Sequence, residues 1–170
     1  MIISLIGYMG SGKTTTGKDL AKALGYEFID LDIYIEEKYQ MTVSEIFETY
    51  GELGFRKRER EALHEVLHNT NIVLSVGGGT PVYYDNIDVI NKYSESIFLR
   101  VQLPQLVKRL ENKKNSRPLI AHLPAEELTE FIAKHLFERN AYYQKAKYTI
   151  SIVHQSSFEV LNEIMALIIK

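Results

Sequence analysis

The residues best able to do chemistry open the chain. Gly7-Tyr8-Met9-Gly10-Ser11-Gly12-Lys13-Thr14 fits G-x-x-x-x-G-K-[ST], a pattern in which glycines let backbone N–H groups turn inward around phosphate oxygens. Lys13 would reach the outer phosphates of a nucleoside triphosphate, and the Thr14 hydroxyl would ligate Mg²⁺. Asp30-Leu31-Asp32 offers two carboxylates: one can hold the metal through water, the other can take a proton from a substrate hydroxyl. Either could equally be the N-cap of a helix starting near Ile33. Ile72-Val73-Leu74-Ser75-Val76 carries no acid where many phosphate-loop proteins keep their magnesium aspartate, which raises the value of Asp30.

Three further groups could serve the same chemistry. Gly77-Gly78-Gly79 exposes bare backbone that a ligand can approach closely, or makes a tight turn before Pro81. Arg56 and Glu59, at i and i+3, share a helix face, so the carboxylate can hold the guanidinium. The polar segment from Asn112 to His122 carries Arg117-Pro118-Leu119 and has the composition of a lid that brings an arginine to a transferring phosphoryl. Arg139, inside a long helix, would by itself be read as a surface residue.

Those residues need a frame, and the pattern supplies one. Ile2–Ile6, Glu27–Asp30, Ile72–Val76, Ser96–Val101 and Tyr148–Val153 read as short apolar strands. Helices are expected at Lys13–Leu24, about Ile33–Tyr50, Phe55–His68, Asp85–Lys92, Pro104–Glu111 and Pro124–Lys145. A last helix is capped by Ser156 and Glu159, with Val160, Leu161, Ile164, Leu167 and Ile168 as its apolar stripe. Thr42 and Glu45 are spaced as a capping box, and Gly51 and Gly54 are expected to break the helical run. Strands alternating with helices imply an α/β fold, a parallel sheet covered on both faces with ligands at the strands' carboxyl ends.

Composition sets the outer limits. The chain has 170 residues, 45% apolar, with a net charge of −2 and no cysteine. That length suits one domain burying roughly 70% of its unfolded surface. The near-neutral charge gives no overall attraction to nucleic acid or anionic membrane, and without cysteine there are no disulfides or thiolate zinc sites. No run approaches the ~20 apolar residues needed to span a bilayer. A cytoplasmic monomer is expected.

The ordered set Gly7–Thr14, Asp30-Leu31-Asp32, Phe55-Arg56-x-x-Glu59, Gly77-Gly78-Gly79, Arg117-Pro118-Leu119 and Arg139-x-x-x-Tyr143 resembles that of the shikimate kinase family over nearly the whole chain. The resemblance implies a single three-layer α/β/α domain over residues 1–170, with a five-stranded parallel sheet ordered 2-3-1-4-5. A substrate-binding region would lie at about 31–61 and a lid at about 112–123. It implies transfer of the ATP γ-phosphate to the 3-hydroxyl of shikimate, with Mg²⁺. Gly10, Ser11, Gly12, Lys13, Thr14 and Thr15 would bind the nucleotide, Arg109 would pack on adenine, and Arg117 would be the lid arginine. Lys13, Asp32 and Arg117 would carry catalysis, and Thr14 with Asp30 would hold the metal. Asp32, Arg56, Gly77, Gly78, Gly79 and Arg139 would line the acceptor site between walls made by Phe47 and Phe55. One departure lies at the adenine end, where relatives often place a basic residue and this chain has Val153-His154-Gln155.

Other readings compete. His64-Glu65-Val66-Leu67-His68 fits the zinc-protease helix pattern H-E-x-x-H, but its histidines fall with Lys57, Arg60 and Glu61 on what reads as the solvent face. A non-catalytic nucleotide-binding regulator would not require a lid arginine together with an acceptor pocket. A kinase of another hydroxy acid such as gluconate, or of nucleoside monophosphates, would share the loop and the fold.

Overall fold

The computed structural model describes residues 1–113 and 118–169. Its strands are β1 (Ile2–Ile6), β2 (Glu27–Asp30), β3 (Ile72–Ser75), β4 (Glu95–Val101) and β5 (Tyr148–Ile152). They form one sheet in the order β2-β3-β1-β4-β5, and every pairing is parallel. Central strands need apolar residues on both faces. Accordingly every residue of β1 and β3 is buried, whereas edge strand β2 exposes Glu27. The registers Leu5↔Ser75 and Ile6↔Phe98 bring the carboxyl ends of the three central strands level, and the loops that follow them meet above that edge.

The helices are α1 (Lys13–Leu24), α2 (Leu31–Tyr39), α3 (Val43–Val66), α4 (Asn86–Tyr93), α5 (Leu103–Glu111), the single turn α6 (Pro118–Ala121), α7 (Ala125–Tyr143) and α8 (Ser157–Ile168). Helix α1 packs on β3 and α8, α2 on α3, and α5 on α7. Both expected capping boxes are present: Thr42 and Glu45 start α3, and Ser156 and Glu159 start α8. The expected helical run from Ile33 is interrupted earlier, because Gln40 takes a left-handed conformation that ends α2. Only Gly51 breaks the helical path of α3, at φ 69° and ψ −179°; Gly54 remains helical. The cause is local. With Gly51 alone turning the chain, the Arg58 guanidinium donates to the Gly54 carbonyl and lies over the Tyr50 ring, which carries the helix through that turn.

A short 3₁₀ turn at Thr80–Val82 follows the glycines, where the sequence pattern marked only a tight turn. Among the described residues no helix is long and apolar enough to cross a membrane.

Candidate active site

The phosphate loop runs from the end of β1 into α1. Gly10 and Gly12 have φ of 79° and 95°, left-handed values that a side chain would strain, and these two positions fold the loop back over the helix start. The Lys13 ammonium donates to the carbonyls of Gly7 at 2.8 Å and Tyr8 at 3.0 Å, which places it across the loop's mouth. Thr14 and Thr15 are exposed. A cavity of about 360 Å³ beside the loop is lined by Gly10, Ser11, Gly12, Thr15, Arg109 and Gln155. Arg109 there donates to the Gly10 carbonyl at 3.1 Å.

The two aspartates after β2 stand in different surroundings. Asp30 is the N-cap of α2: its Oδ1 accepts from the backbone N–H groups of Asp32 and Ile33. That fixes the carboxylate with Oδ2 aimed at the Thr14 hydroxyl, 3.3 Å away. Capping and metal holding are therefore compatible. A hydroxyl and a carboxylate oxygen are the hard ligands that Mg²⁺ takes when phosphates supply the rest, so the donor set fits. Asp32 instead faces the glycine turn, with its Oδ1 3.4 Å from where a Cβ on Gly77 would stand. Burial, then the charges of Asp30 and Glu59, push its carboxyl up to about 6 from 3.8, against the opposing pull of Lys13.

Beside the glycine turn lies a crevice of about 720 Å³ whose lining includes Met9, Asp32, Phe47, Phe55, Arg56 and Arg139. Phe47 and Phe55 stack at 4.4 Å between ring centroids and make its apolar wall. Arg56 is only 8% exposed, so its charge needs a partner. Glu59 Oε1 accepts from its NH1 at 2.9 Å, while Glu59 Oε2 accepts from the Thr80 hydroxyl at 2.8 Å. Asn86 in turn donates to the Thr80 carbonyl at 2.9 Å. The guanidinium also lies 4.1 Å above the Tyr83 ring, whose hydroxyl donates to Glu52. Its Nε is buried with no hydrogen-bond partner. Close packing explains two of the glycines. A Cβ on Gly79 would sit 2.5 Å from Arg56 NH2, and one on Gly78 would sit 3.2 Å from Arg139 NH1.

Two guanidiniums from distant helices therefore converge on one stretch of bare backbone, with Asp32 beside it. Arg139 is held on α7, where Tyr143, one turn further on, donates to the Gly78 carbonyl at 2.6 Å. Burial pushes the Tyr143 phenol up to about 12, so it keeps its donor proton. Arg117 lies outside the described residues. Leu119 and His122, from the segment read as a lid, line the crevice. Within the H-E-x-x-H pattern, His68 pairs with the His64 carbonyl, and Glu65 accepts from Tyr34 and Lys38. No group of three or more metal-ligating side chains occurs among the described residues.

Several contributors escaped the sequence reading. Thr80, Asn86 and Tyr83 carry no local pattern that points to Arg56. His135 could have been found, because it lies at i−4 from Arg139 on the helix face that also carries Tyr143 of the Arg139-x-x-x-Tyr143 pattern.

Known proteins share this chain's sequence and fold. The model of the family described as Shikimate kinase matches residues 9–169. A shikimate kinase of Parabacteroides distasonis is 47% identical over 86% of this chain and 85% of its own length. The crystal structure of shikimate kinase from Bacteroides thetaiotaomicron superposes with a TM-score of 0.94 at 39% identity, covering 100% of this chain and 99% of the other. Shikimate kinase from Acinetobacter baumannii in complex with shikimate superposes with a TM-score of 0.88 at 35% identity, covering 99% and 92%.

Proposed function

This chain belongs to the shikimate kinase family, and we propose that its two-arginine crevice is where the γ-phosphoryl of ATP passes to the 3-hydroxyl of shikimate. The observation that carries the reading is the convergence of Arg56 and Arg139 on Gly78 and Gly79, with a carboxyl poised near 6 beside them. Shikimate has one carboxylate and three hydroxyls. A planar guanidinium matches a carboxylate through two parallel hydrogen bonds, and a second one doubles the charge match. Bare glycine backbone supplies N–H donors at close range.

Once the acid end is fixed, Asp32 is the group beside the reacting hydroxyl. It accepts the hydroxyl proton as the oxygen bonds to the γ-phosphorus and the bond to the β-phosphate oxygen breaks, releasing ADP. A base near 6 is charged at neutral pH yet basic enough to take a proton in the transition state. Lys13 neutralises charge on the transferring group, and backbone N–H groups of Gly10, Ser11 and Gly12 hold the phosphates. Thr14 and Asp30 would hold Mg²⁺, which offsets phosphate charge when bound. Thr15 and Arg109 belong to the nucleotide side, and Arg117 to a lid over about 112–123. The chain acts as one domain, a cytoplasmic monomer with small-molecule partners only, in keeping with its net charge of −2 and lack of cysteine.

The test is direct. The protein is incubated with ATP, Mg²⁺ and a panel of acceptors: shikimate, gluconate and nucleoside monophosphates. The expected result is formation of shikimate 3-phosphate with far higher kcat/KM than any other product. Faster turnover of gluconate or a monophosphate would overturn the choice of acceptor.

A further inference from the structure

Tyr8 occupies a variable position of the phosphate loop, and the nucleotide chemistry needs only its backbone. Its carbonyl accepts from Ser11 N at 3.1 Å and from the Lys13 ammonium at 3.0 Å. Its side chain, 1% exposed, turns away from the phosphates and into α7. A buried phenol ordinarily finds a hydrogen-bond partner, and here it is the half-buried His135, whose Nδ1 lies 3.0 Å from the Tyr8 hydroxyl. Burial pushes the Tyr8 phenol above its usual range. Burial, together with the Arg139 charge, pulls His135 below its own. Both groups are therefore neutral, and a single hydrogen bond joins the phenol oxygen to Nδ1. Phe131 closes the other side of the imidazole at 4.4 Å between ring centroids.

One helical turn beyond His135 comes Arg139, with its guanidinium carbon 5.7 Å from the centre of the Tyr8 ring. Another turn on, Tyr143 is tied to the Gly78 carbonyl. The spacing i, i+4, i+8 places all three on one face. Arg139 thus stands between two tethers, one to the phosphate loop and one to the glycine turn. Near the same spot, Met9 N lies 3.6 Å from where a Cβ on Gly78 would be. The loop and the acceptor arginine share a boundary.

We propose that Tyr8 and His135 are positioning residues for the acceptor: their hydrogen bond fixes the Tyr8 ring as the floor on which the Arg139 guanidinium lies. Tyr8 then serves both substrates, holding Lys13 through its carbonyl and Arg139 through its ring. The inference rests on the reading of Arg139 as a contact to the acceptor's carboxylate.

Three variants test it by steady-state kinetics on the full chain. Tyr8→Phe keeps the ring and removes the hydroxyl, and His135→Leu removes its hydrogen-bond partner. His135→Asn supplies an amide, able to donate or accept, close to where Nδ1 stood. Tyr8→Phe and His135→Leu should each raise the KM for shikimate roughly three- to tenfold, with a smaller change for ATP. The double variant should be no worse than either single one, and His135→Asn should recover most of the loss. In an Arg139→Ala background, shikimate binding followed by ligand-observed NMR should not weaken further when Tyr8→Phe is added.

An unchanged KM for shikimate in Tyr8→Phe overturns the proposal. So does an equal rise for ATP, which would mark a role in folding the loop alone, or a penalty that survives in Arg139→Ala. If the parent turns over a different acid and shows the same pattern of penalties with that acid, the acceptor assignment fails and the positioning role stands.

Discussion

On the acceptor side, Arg56 is gripped by Glu59, Glu59 by Thr80, and Thr80 by Asn86, a run of buried hydrogen bonds between 2.8 and 2.9 Å. On the nucleotide side, Thr14 and Thr15 are exposed and Lys13 donates to carbonyls of its own loop. The proposed roles of the two halves account for the difference. A small acid offers one carboxylate and a few hydroxyls, so selectivity depends on guanidiniums already in place, whose ordering cost was met in folding. A triphosphate is held by many backbone N–H groups and a metal, and its transferring charge must be met by groups that reach it during the reaction. Fixing the acceptor side has its own cost. Asp32 sits close to Asp30 and Glu59 in a buried place, and its raised pKa records that strain.

The largest expected effect lies on the nucleotide side. Lys13→Ala should lower kcat by at least about 10³-fold while shikimate binding, measured without ATP, is retained. Turnover within tenfold of the parent would erase the distinction between the two halves. Asp32→Asn comes next, with a loss of about 10²- to 10³-fold in kcat. In the parent, kcat/KM should fall as pH drops through about 6, where Asp32 takes up a proton and can no longer accept one. The stability effect has the opposite sign to that of an ordinary salt-bridged aspartate. The folded pKa lies above the unfolded one, so the folded state binds more protons and stability falls as pH rises from about 4 to about 6. Asp32→Asn should therefore be more stable than the parent at pH 8, by about 1–3 kcal/mol after allowing for solvent screening, with the gain gone below about pH 4. A variant that melts lower than the parent at pH 8 would show Asp32 to be a structural acid.

Arg56→Lys probes the fixed side. Alanine would leave Glu59 buried without its cation, at about 3–5 kcal/mol, and confound binding with folding. Lysine keeps a charge near Glu59 but cannot give the paired hydrogen bonds, so the KM for shikimate should rise about 10- to 150-fold with little change for ATP. With a neutral amide analogue of shikimate, parent and variant should bind alike. Equal penalties for acid and amide would remove Arg56 from the site.

The two halves also differed in how far they could be read from the chain. The phosphate loop was plain because its pattern fell between a five-residue apolar strand and a helix, local features that agree. The sheet order was not local: β3 inserts between β1 and β2, and only the family resemblance implied it. Asp30 and Asp32 were ambiguous because capping and metal holding ask for the same residue type, and capping by Oδ1 of Asp30 leaves its Oδ2 beside the Thr14 hydroxyl. The fixed side depends on contacts across long stretches of sequence, such as Glu59 with Thr80 and Tyr8 with His135, which no periodicity encodes. Gly54 misled because glycine lowers helix propensity without forbidding helix, and tertiary packing decided the matter.

The smallest expected effect, at the adenine end, shows whether the nucleotide side has a fixed part of its own. Arg109 stands in the last turn of α5 and donates to the Gly10 carbonyl at 3.1 Å, in the cavity that also holds Gln155. Two roles are open to it: bracing the loop through that hydrogen bond, or presenting the guanidinium face to the base. Lysine separates them, since it can still donate to Gly10 but has no planar face to stack. If stacking dominates, Arg109→Lys and Arg109→Ala should both raise the KM for ATP about two- to fivefold, as expected for a partly exposed cation–π contact. The preference for purine over pyrimidine triphosphates should shrink with it. If bracing dominates, Arg109→Lys should behave as the parent and only Arg109→Ala should weaken binding, equally for all bases, because a displaced Gly10 disturbs phosphates and not adenine. In either case the KM for shikimate should stay put, since Arg109 lines the nucleotide cavity and not the acceptor crevice. A matching rise for shikimate would mean that the loop transmits its displacement to Arg139, and the separation between the two halves would have to be given up.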